Sequence, residues 1–127
     1  ISPGTAKTMS NMLEMATKPG GTAPLAQING YRVAGKTGTA HKLIDGQYAK
    51  KRYIATFVGY APASNPRLII AVMIDEPSAG QHFGGAVAAP VFSKVMANAL
   101  HILNIPPDAP ANNVVTFTAV PEIDEEG

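Results

Sequence analysis

No cysteine occurs in the chain, which excludes disulfides and thiolate metal sites while leaving the cellular compartment open. A charge excess is missing too. Lys and Arg number 10 against 9 Asp and Glu, a net of +1, so there is no strong electrostatic pull toward nucleic acid or an anionic membrane surface. No apolar run approaches the roughly eighteen residues that span a bilayer, and no secretory signal opens the sequence. The first residue is Ile1 rather than Met, which reads as a mature or excised piece, so the missing signal carries little weight. No internal repeat is visible. Asp45, Asp75 and Glu76 lack the clustering that a metal ion needs, and no metal or cofactor is expected.

What is present fits one globular domain. The length is 127 residues, with 46% apolar and 15% charged side chains, well away from the composition of a disordered chain. Ser2-Pro3, followed by Met9, Met12, Leu13 and Ala16, predicts a capped amphipathic helix that Lys18-Pro19-Gly20-Gly21 ends. The Met9, Met12, Met15 spacing reads as core packing. Residues 22–30 carry no period and read as loop. Three strands are predicted next: Tyr31 to Thr39, Tyr53 to Ala61, and the apolar run Arg67 to Asp75, which implies a central strand covered on both faces. Between the first two lies a polar, basic stretch, "HKLIDGQYAKKR", with a turn signal at Asp45-Gly46.

The short connections favour an antiparallel meander. After a loop from Glu76 to Gly85, a last helix places Val87, Val91, Val95, Ala99 and Ile102 on one stripe, with Phe92, Met96 and Leu103 beside it. Helices flanking an antiparallel sheet make the fold α+β. Residues 1–107 form the folded part, and 108–127, rich in Pro, Asn and acidic residues, read as a mobile tail. Nothing in this chain is left to pair with the far edge of the third strand. The sheet looks like part of a larger one.

The stretch "GYRVAGKTGTAHK", Gly30 to Lys42, admits two chemistries. From Gly30 it satisfies G-x-x-x-x-G-K-[ST], a phosphate-cradling loop. From Lys36 it gives Lys-Thr-Gly, the third motif of penicillin-binding proteins and class A β-lactamases. A phosphate loop needs a strand before it and a helix opening at the Lys-Thr. Here Tyr31 and Val33 prefer extended backbone, and Gly38 follows Thr37 where a helix would begin. The nucleotide reading therefore falls behind.

In the other reading the stretch is an edge strand that pairs with an extended substrate. Gly38 then allows close approach, and a backbone N–H just past it can face a developing oxyanion, a donor worth on the order of 3 kcal/mol. Alternation turns the Thr37 and Thr39 hydroxyls one way, where they can hold a carboxylate, and Lys36 the other.

The similarity extends beyond the triad. "GTAPLAQINGYRVAGKTGTA" resembles the run into the third motif of class B penicillin-binding proteins, "YIATFVGYAPASNPRLIIAVMIDEP" the two strands that follow, and "FGGAVAAPVFSKVMANAL" the family's last helix. The ending "HILNIPPD" is most like the division-specific branch in Gram-negative bacteria. The resemblance covers about Ile1 to Asp108. It implies a partial penicillin-binding/β-lactamase-like transpeptidase fold and a serine D,D-transpeptidase that cross-links peptidoglycan stem peptides ending in D-Ala–D-Ala at the septum.

Such an enzyme is acylated by β-lactams through an activated serine. It would sit at the periplasmic face of the inner membrane, held by an anchor absent here, with divisome proteins as partners. Lys36, Thr37, Gly38 and Thr39 carry over as catalytic positions, Thr39 giving a hydroxyl and the oxyanion N–H. Phe83 is expected in an aromatic or apolar wall, with His82 and Gly84 as further substrate-binding positions. His41 reads as a solvent-facing loop residue, and Lys42, Lys50, Lys51 and Arg52 as a solvated charge run.

The departure is decisive for activity. None of Ser2, Ser10, Ser64, Ser78 and Ser93 has Lys three residues on or Asn two residues on. The nucleophile and its base must come from an upstream half of the same domain, and this chain alone is expected to be inactive. The alternative is a non-catalytic module that binds extended peptides along the Lys36–Thr39 edge.

Overall fold

Ser2 caps the first helix, α1 (Pro3–Met15), its hydroxyl accepting the Thr5 N–H at 3.1 Å. The computed structural model describes residues 1–116. After α1 the chain makes a 3₁₀ turn (Pro24–Ala26) and then three strands, β1 (Ala34–Ile44), β2 (Gln47–Ala61) and β3 (Leu68–Asp75). A short helix α2 (Gly84–Val87) and a longer helix α3 (Ala89–Ile102) follow. The strands pair antiparallel in the order β1-β2-β3, the α+β meander that the sequence predicts.

The first strand begins later and runs further than its residues suggest. The polar stretch after Thr39 is not loop: β1 and β2 continue through it as a ribbon that turns at Asp45-Gly46. Both turn residues have positive φ, 50° and 77°, the backbone of a two-residue hairpin turn. The register slips between His41 and Leu43, and Lys51, at φ 63°, sits on the bulged side opposite.

The core lies between α3 and one face of the sheet. Phe57 and Phe92 meet edge to face at 4.8 Å, beneath Met96 and Leu100. The helix therefore buries Phe92, Met96 and Leu100, a stripe at spacing four. Val91, Val95 and Ile102, expected in the buried stripe, are exposed instead, because the sheet lies on the neighbouring side of the helix. Residues 22–30 are loop in shape but core in content, since Ala23, Ala26 and Ile28 are buried.

Among the described residues the other face of the sheet is bare except at one end. In β3, Leu68, Ile70, Val72 and Ile74 pack toward α3, whereas Ile69 and Met73 are 72% and 69% exposed. The strand is thus covered on one face rather than both, and its far edge is unpaired among the described residues. Helix α1 crosses one end of this bare face, where Ser10 and Tyr60 hydroxyls meet at 2.7 Å. Its Met9, Met12 and Met15, read as core from their spacing, are exposed, because no described element reaches them.

An ion pair fastens α1 to the start of β1. Glu14, buried on α1, accepts from Arg32 Nε and Nη2 at 2.8 and 2.7 Å. The Arg32 guanidinium, helped by Lys18, holds the Glu14 carboxyl below the usual carboxylate range and is itself raised by it.

The stretch that follows Pro107, expected as a mobile tail, begins as an anchored segment. The Asp108 carboxylate accepts from the Arg32 N–H at 2.7 Å and the Ser64 hydroxyl at 2.6 Å. Asn113 bonds the backbone of Ile28, Gly30 and Tyr31. Residues 108–116 are therefore tied to the body by side chains that composition alone does not single out. The rest of the expected tail, 117–127, lies outside the described residues.

Two outcomes are expected. Phe92→Ala, by opening a cavity over Phe57, should cost about 3–5 kcal/mol in urea denaturation. Glu14 has its carboxyl lowered in the folded state, so its contribution is complete above the ordinary carboxylate range and is lost as pH falls through the lowered value. Glu14→Gln should cost about 1–2 kcal/mol at pH 7, Arg32 being half exposed, and should leave a protein whose stability falls less steeply in acid.

Candidate active-site wall

β1 is an edge strand, so its outer side is free to meet a ligand among the described residues. Register with β2 assigns its side chains to faces. Thr37 stands opposite Phe57 and shares the α3 side, while Lys36 and Gly38 stand opposite Val58 and Thr56 on the bare side. The predicted alternation holds: Lys36 faces one way, and Thr37 and Thr39 the other.

Lys36 is exposed, and its ammonium donates to its neighbour's carbonyl, Thr37 O, at 3.0 Å and lies 3.4 Å from Thr37 Oγ1. No carboxylate pairs with it among the described residues, which leaves a cation at the border of the bare apolar face. Gly38 has a structural use. A Cβ there would run into the Thr56 hydroxyl across the ribbon.

On the other side, Thr37 Oγ1 reaches Thr22 Oγ1 at 3.4 Å, and Thr39 Oγ1 accepts the Gly84 N–H at 3.1 Å. Thr22 and Gly84 come from two different loops, so both threonines are backed by the loops that precede β1 and α2. Beside them opens a groove of about 590 Å³, lined by Thr22, Leu25, Gln81, Phe83, Gly85 and Val115 among others. A cavity of about 330 Å³ near Glu14, Tyr31, Arg32, Asp108 and Asn113 lies elsewhere, and those polar groups are already bonded to protein atoms.

Phe83, expected in an aromatic or apolar wall, ends a run of four rings. His41 and Tyr53 stand 4.7 Å apart, Tyr53 and His82 stack at 3.9 Å and 14°, and His82 meets Phe83 at 4.3 Å. His41 is thus exposed, as expected, but on a strand and tilted against Tyr53 rather than in a loop. Lys42, read as part of a solvated charge run, bridges Asp75 and Glu76 at 3.0 and 2.9 Å, and those two carboxylates, Glu76 first, raise its ammonium above the ordinary range. The ring stack and this bridge both join the hairpin to the loop that carries Phe83. Phe83 itself is 55% exposed, a ring held at its root and open at its face.

The structure brings Lys36, Thr37, Gly38, Thr39 and Gly84 together, with His82 and Phe83 on the loop that leads into Gly84. Sequence reasoning missed Thr22 and Tyr53. Thr22 lies inside the family-like run before the motif, where its hydroxyl was the available signal. Tyr53 reads only as a strand former.

Comparison with known proteins gives the family. A family model described as the penicillin binding protein transpeptidase domain matches residues 1–97. The chain belongs to that family. It is 45% identical to a probable peptidoglycan D,D-transpeptidase, PenA, of Neisseria flavescens over 116 residues, which is 91% of this chain and 29% of that protein. It is 50% identical to the peptidoglycan D,D-transpeptidase FtsI of Escherichia coli K12, covering 81% of this chain and 18% of FtsI. Among solved structures, the apo transpeptidase domain of penicillin-binding protein 3 from Burkholderia pseudomallei superposes with a TM-score of 0.78 at 50% identity, over 87% of this chain and 33% of that one. The chain therefore spans between about a fifth and a third of the proteins it matches, and its fold is the α+β fold of that family.

Removing the Tyr53 ring tests the wall's construction. Tyr53→Ala should speed amide exchange at Gln81 to Phe83 severalfold, with a global stability loss of about 1 kcal/mol, as an aromatic contact is worth. Exchange measured by mass spectrometry would reveal unchanged loop rates if the stack held nothing.

Proposed function

We propose that the protein containing this chain is a serine-type peptidoglycan D,D-transpeptidase, and that Lys36, Thr37, Gly38 and Thr39 form one wall of its active site. The observation that carries the reading is the split of β1. Lys36, without a carboxylate partner among the described residues, leaves β1 on the bare side and its ammonium reaches over the strand edge to Thr37, while Thr22 and Gly84 back the Thr37 and Thr39 hydroxyls. A serine delivered over the bare side would meet the ammonium, which lowers the cost of its deprotonation and stabilises the anionic substrate. The threonines and the strand's outer backbone would bind a D-Ala–D-Ala terminus or a β-lactam as an added strand, with Phe83 and His82 on the loop beside them, while Gly84, expected as a substrate contact, is buried behind Thr39. The Thr39 N–H is the assigned oxyanion donor.

The nucleophile and its base come from the upstream half of the same domain. That half also covers Ile69, Met73 and Val58 on the sheet and Met9, Met12 and Met15 on α1, since an exposed apolar surface of this extent marks an interface. Residues 1–107 are the C-terminal part of that domain. The biological setting we assign is septum formation, with a subtype like penicillin-binding protein 3. The catalytic domain lies at the periplasmic face of the inner membrane, the anchor outside this chain and divisome proteins as partners. Relatives named as peptidoglycan D,D-transpeptidases support the reaction, and the likeness to a penicillin-binding protein 3 domain supports the subtype.

Labelling with fluorescent penicillin tests the reading. This chain alone should remain unlabelled, and the complete protein should label covalently. Lys36→Ala in the complete protein should slow acylation by about 100-fold or more, the scale of a lost proton-handling group. Labelling of the isolated chain would sink the division of roles, because its serines lack the required partners. A folded complete protein that binds stem peptides yet never labels would favour the non-catalytic peptide-binding module.

A further inference from the structure

The ribbon beyond the motif carries an unusually wide bulge. Between the pairs His41–Tyr53 and Leu43–Tyr48, one residue of β1, Lys42, stands opposite four of β2, Ala49 to Arg52. An ordinary bulge sets two residues against one. This one is held at both ends. The His41 ring, on the same face as Thr37 and Thr39, places Nδ1 3.3 Å from the Ala49 carbonyl oxygen, and Arg52 Nε lies 3.7 Å from the Glu76 carboxylate. Between those ends Lys51 has a φ of 63°, a left-handed backbone that glycine or asparagine adopts at less cost.

The cations of the ribbon fall into two kinds. Lys42 and Arg52 are paired with Asp75 and Glu76. Lys50 and Lys51 are exposed, and no carboxylate lies within ion-pair distance of either among the described residues. Both sit one strand away from the free edge of β1. A lysine's four-carbon stem can cross the roughly 4.8 Å between neighbouring strands. In the proposed reading a terminal carboxylate lies at the Thr37 and Thr39 hydroxyls and the scissile carbonyl at the Thr39 N–H. Followed upstream from its terminus, the donor chain therefore runs past Ala40 and His41 toward Leu43. At about 3.3 Å per residue, the second or third residue before the terminal pair comes abreast of Lys42, opposite the bulge.

Resting on that reading, we infer that the Ala49–Arg52 bulge is a second binding site, for carboxylate-bearing residues of the donor peptide upstream of its D-Ala–D-Ala terminus, with Lys50 and Lys51 as its cations. The strained backbone at Lys51 holds an ammonium out of the ribbon where an unstrained strand residue would lie along it. Neither lysine touches the reacting atoms. They set which stem is favoured, and the motif sets which bond breaks. Each contact is an exposed ion pair, so the preference for an acidic stem over a neutral one is modest and falls with salt.

The test uses the complete protein and two synthetic donor peptides ending in D-Ala–D-Ala, alike except that their upstream carboxylates are free in one and amidated in the other. The kcat/KM for acylation, followed by release of the terminal D-Ala, should favour the free acid by about threefold to tenfold at low salt, through KM rather than kcat. Lys50→Gln with Lys51→Gln should bring the ratio close to one, as should about 0.5 M salt with the wild-type protein. Lys50→Arg with Lys51→Arg should keep the preference. A ratio that survives the double Gln variant, or a wild-type protein with no preference, overturns the inference. Should the double Gln variant fail to fold, Lys51→Gly decides, because it relieves the left-handed strain while removing one charge. The ratio should then fall part-way, and a ratio kept in full overturns the inference. A wild-type protein that releases no D-Ala and takes no penicillin label overturns the acyl-transfer reading itself, an outcome distinct from the others.

Discussion

The edge-to-face contact between Phe92 and Phe57 sets the distance from the last helix to the sheet, and the candidate site depends on that distance. Gly59 and Gly35 flank Phe57 and leave room for the two rings; a Cβ on Gly59 would stand 2.8 Å from both. Moving back along the chain from Phe92, α3 begins at Ala89 and α2 at Gly84, so a helix seated low on the sheet brings Gly84 against Thr56 and Gly38. The hydrogen bond to Thr39 is a result of that seating. A bulkier core pair would raise the helix, and the wall of the site would lose its backing before the fold was lost.

Burial divides the surface in a way that makes sense for half of a cleft. The side of the sheet under α3 is packed, and the opposite side carries Ile69, Met73 and Val58 in the open beside the α1 methionines. A water-facing sheet would show polar residues at those alternate positions. Lys36 stands on this same side, at its edge. The cation is therefore placed where a covering segment would end, which is where a cleft between two halves would form in the proposed reading.

Much of this was legible in the residues. The Ser2-Pro3 start, the Asp45-Gly46 turn and the three apolar strands carry local signals that short-range physics reads directly. The faces were less legible. Periodicity reports which residues are apolar but not what covers them, and for that reason it assigns Met9, Met12 and Met15 on α1 and Val91, Val95 and Ile102 on α3 to the interior. The ribbon beyond Thr39 was missed because its side chains are polar, and pairing between backbones does not need apolar ones. Asp108 and Asn113 were missed for a related reason. Each anchors through single hydrogen bonds to distant backbone, and composition is blind to such bonds.

The motif itself was found by its spelling, yet the chemistry proposed for it comes from alternation on an edge strand. Successive side chains of β1 leave on opposite faces, so Lys36 and Thr37 start from different sides of the sheet and meet only where the long lysine reaches over the edge. In the proposed reading the lysine needs a space kept open for an incoming nucleophile, and the hydroxyls need support to hold a direction. One strand meets both needs only if one face is left bare and the other is backed tightly. The fold does this with two loops, the Thr22 loop and the Gly84 turn, that converge behind the threonines. A one-residue slip of β1 against β2 would exchange the two faces, turning the lysine into the backed side and the hydroxyls toward the bare one. The register with β2 is therefore as much a part of the proposed site as the motif that it displays.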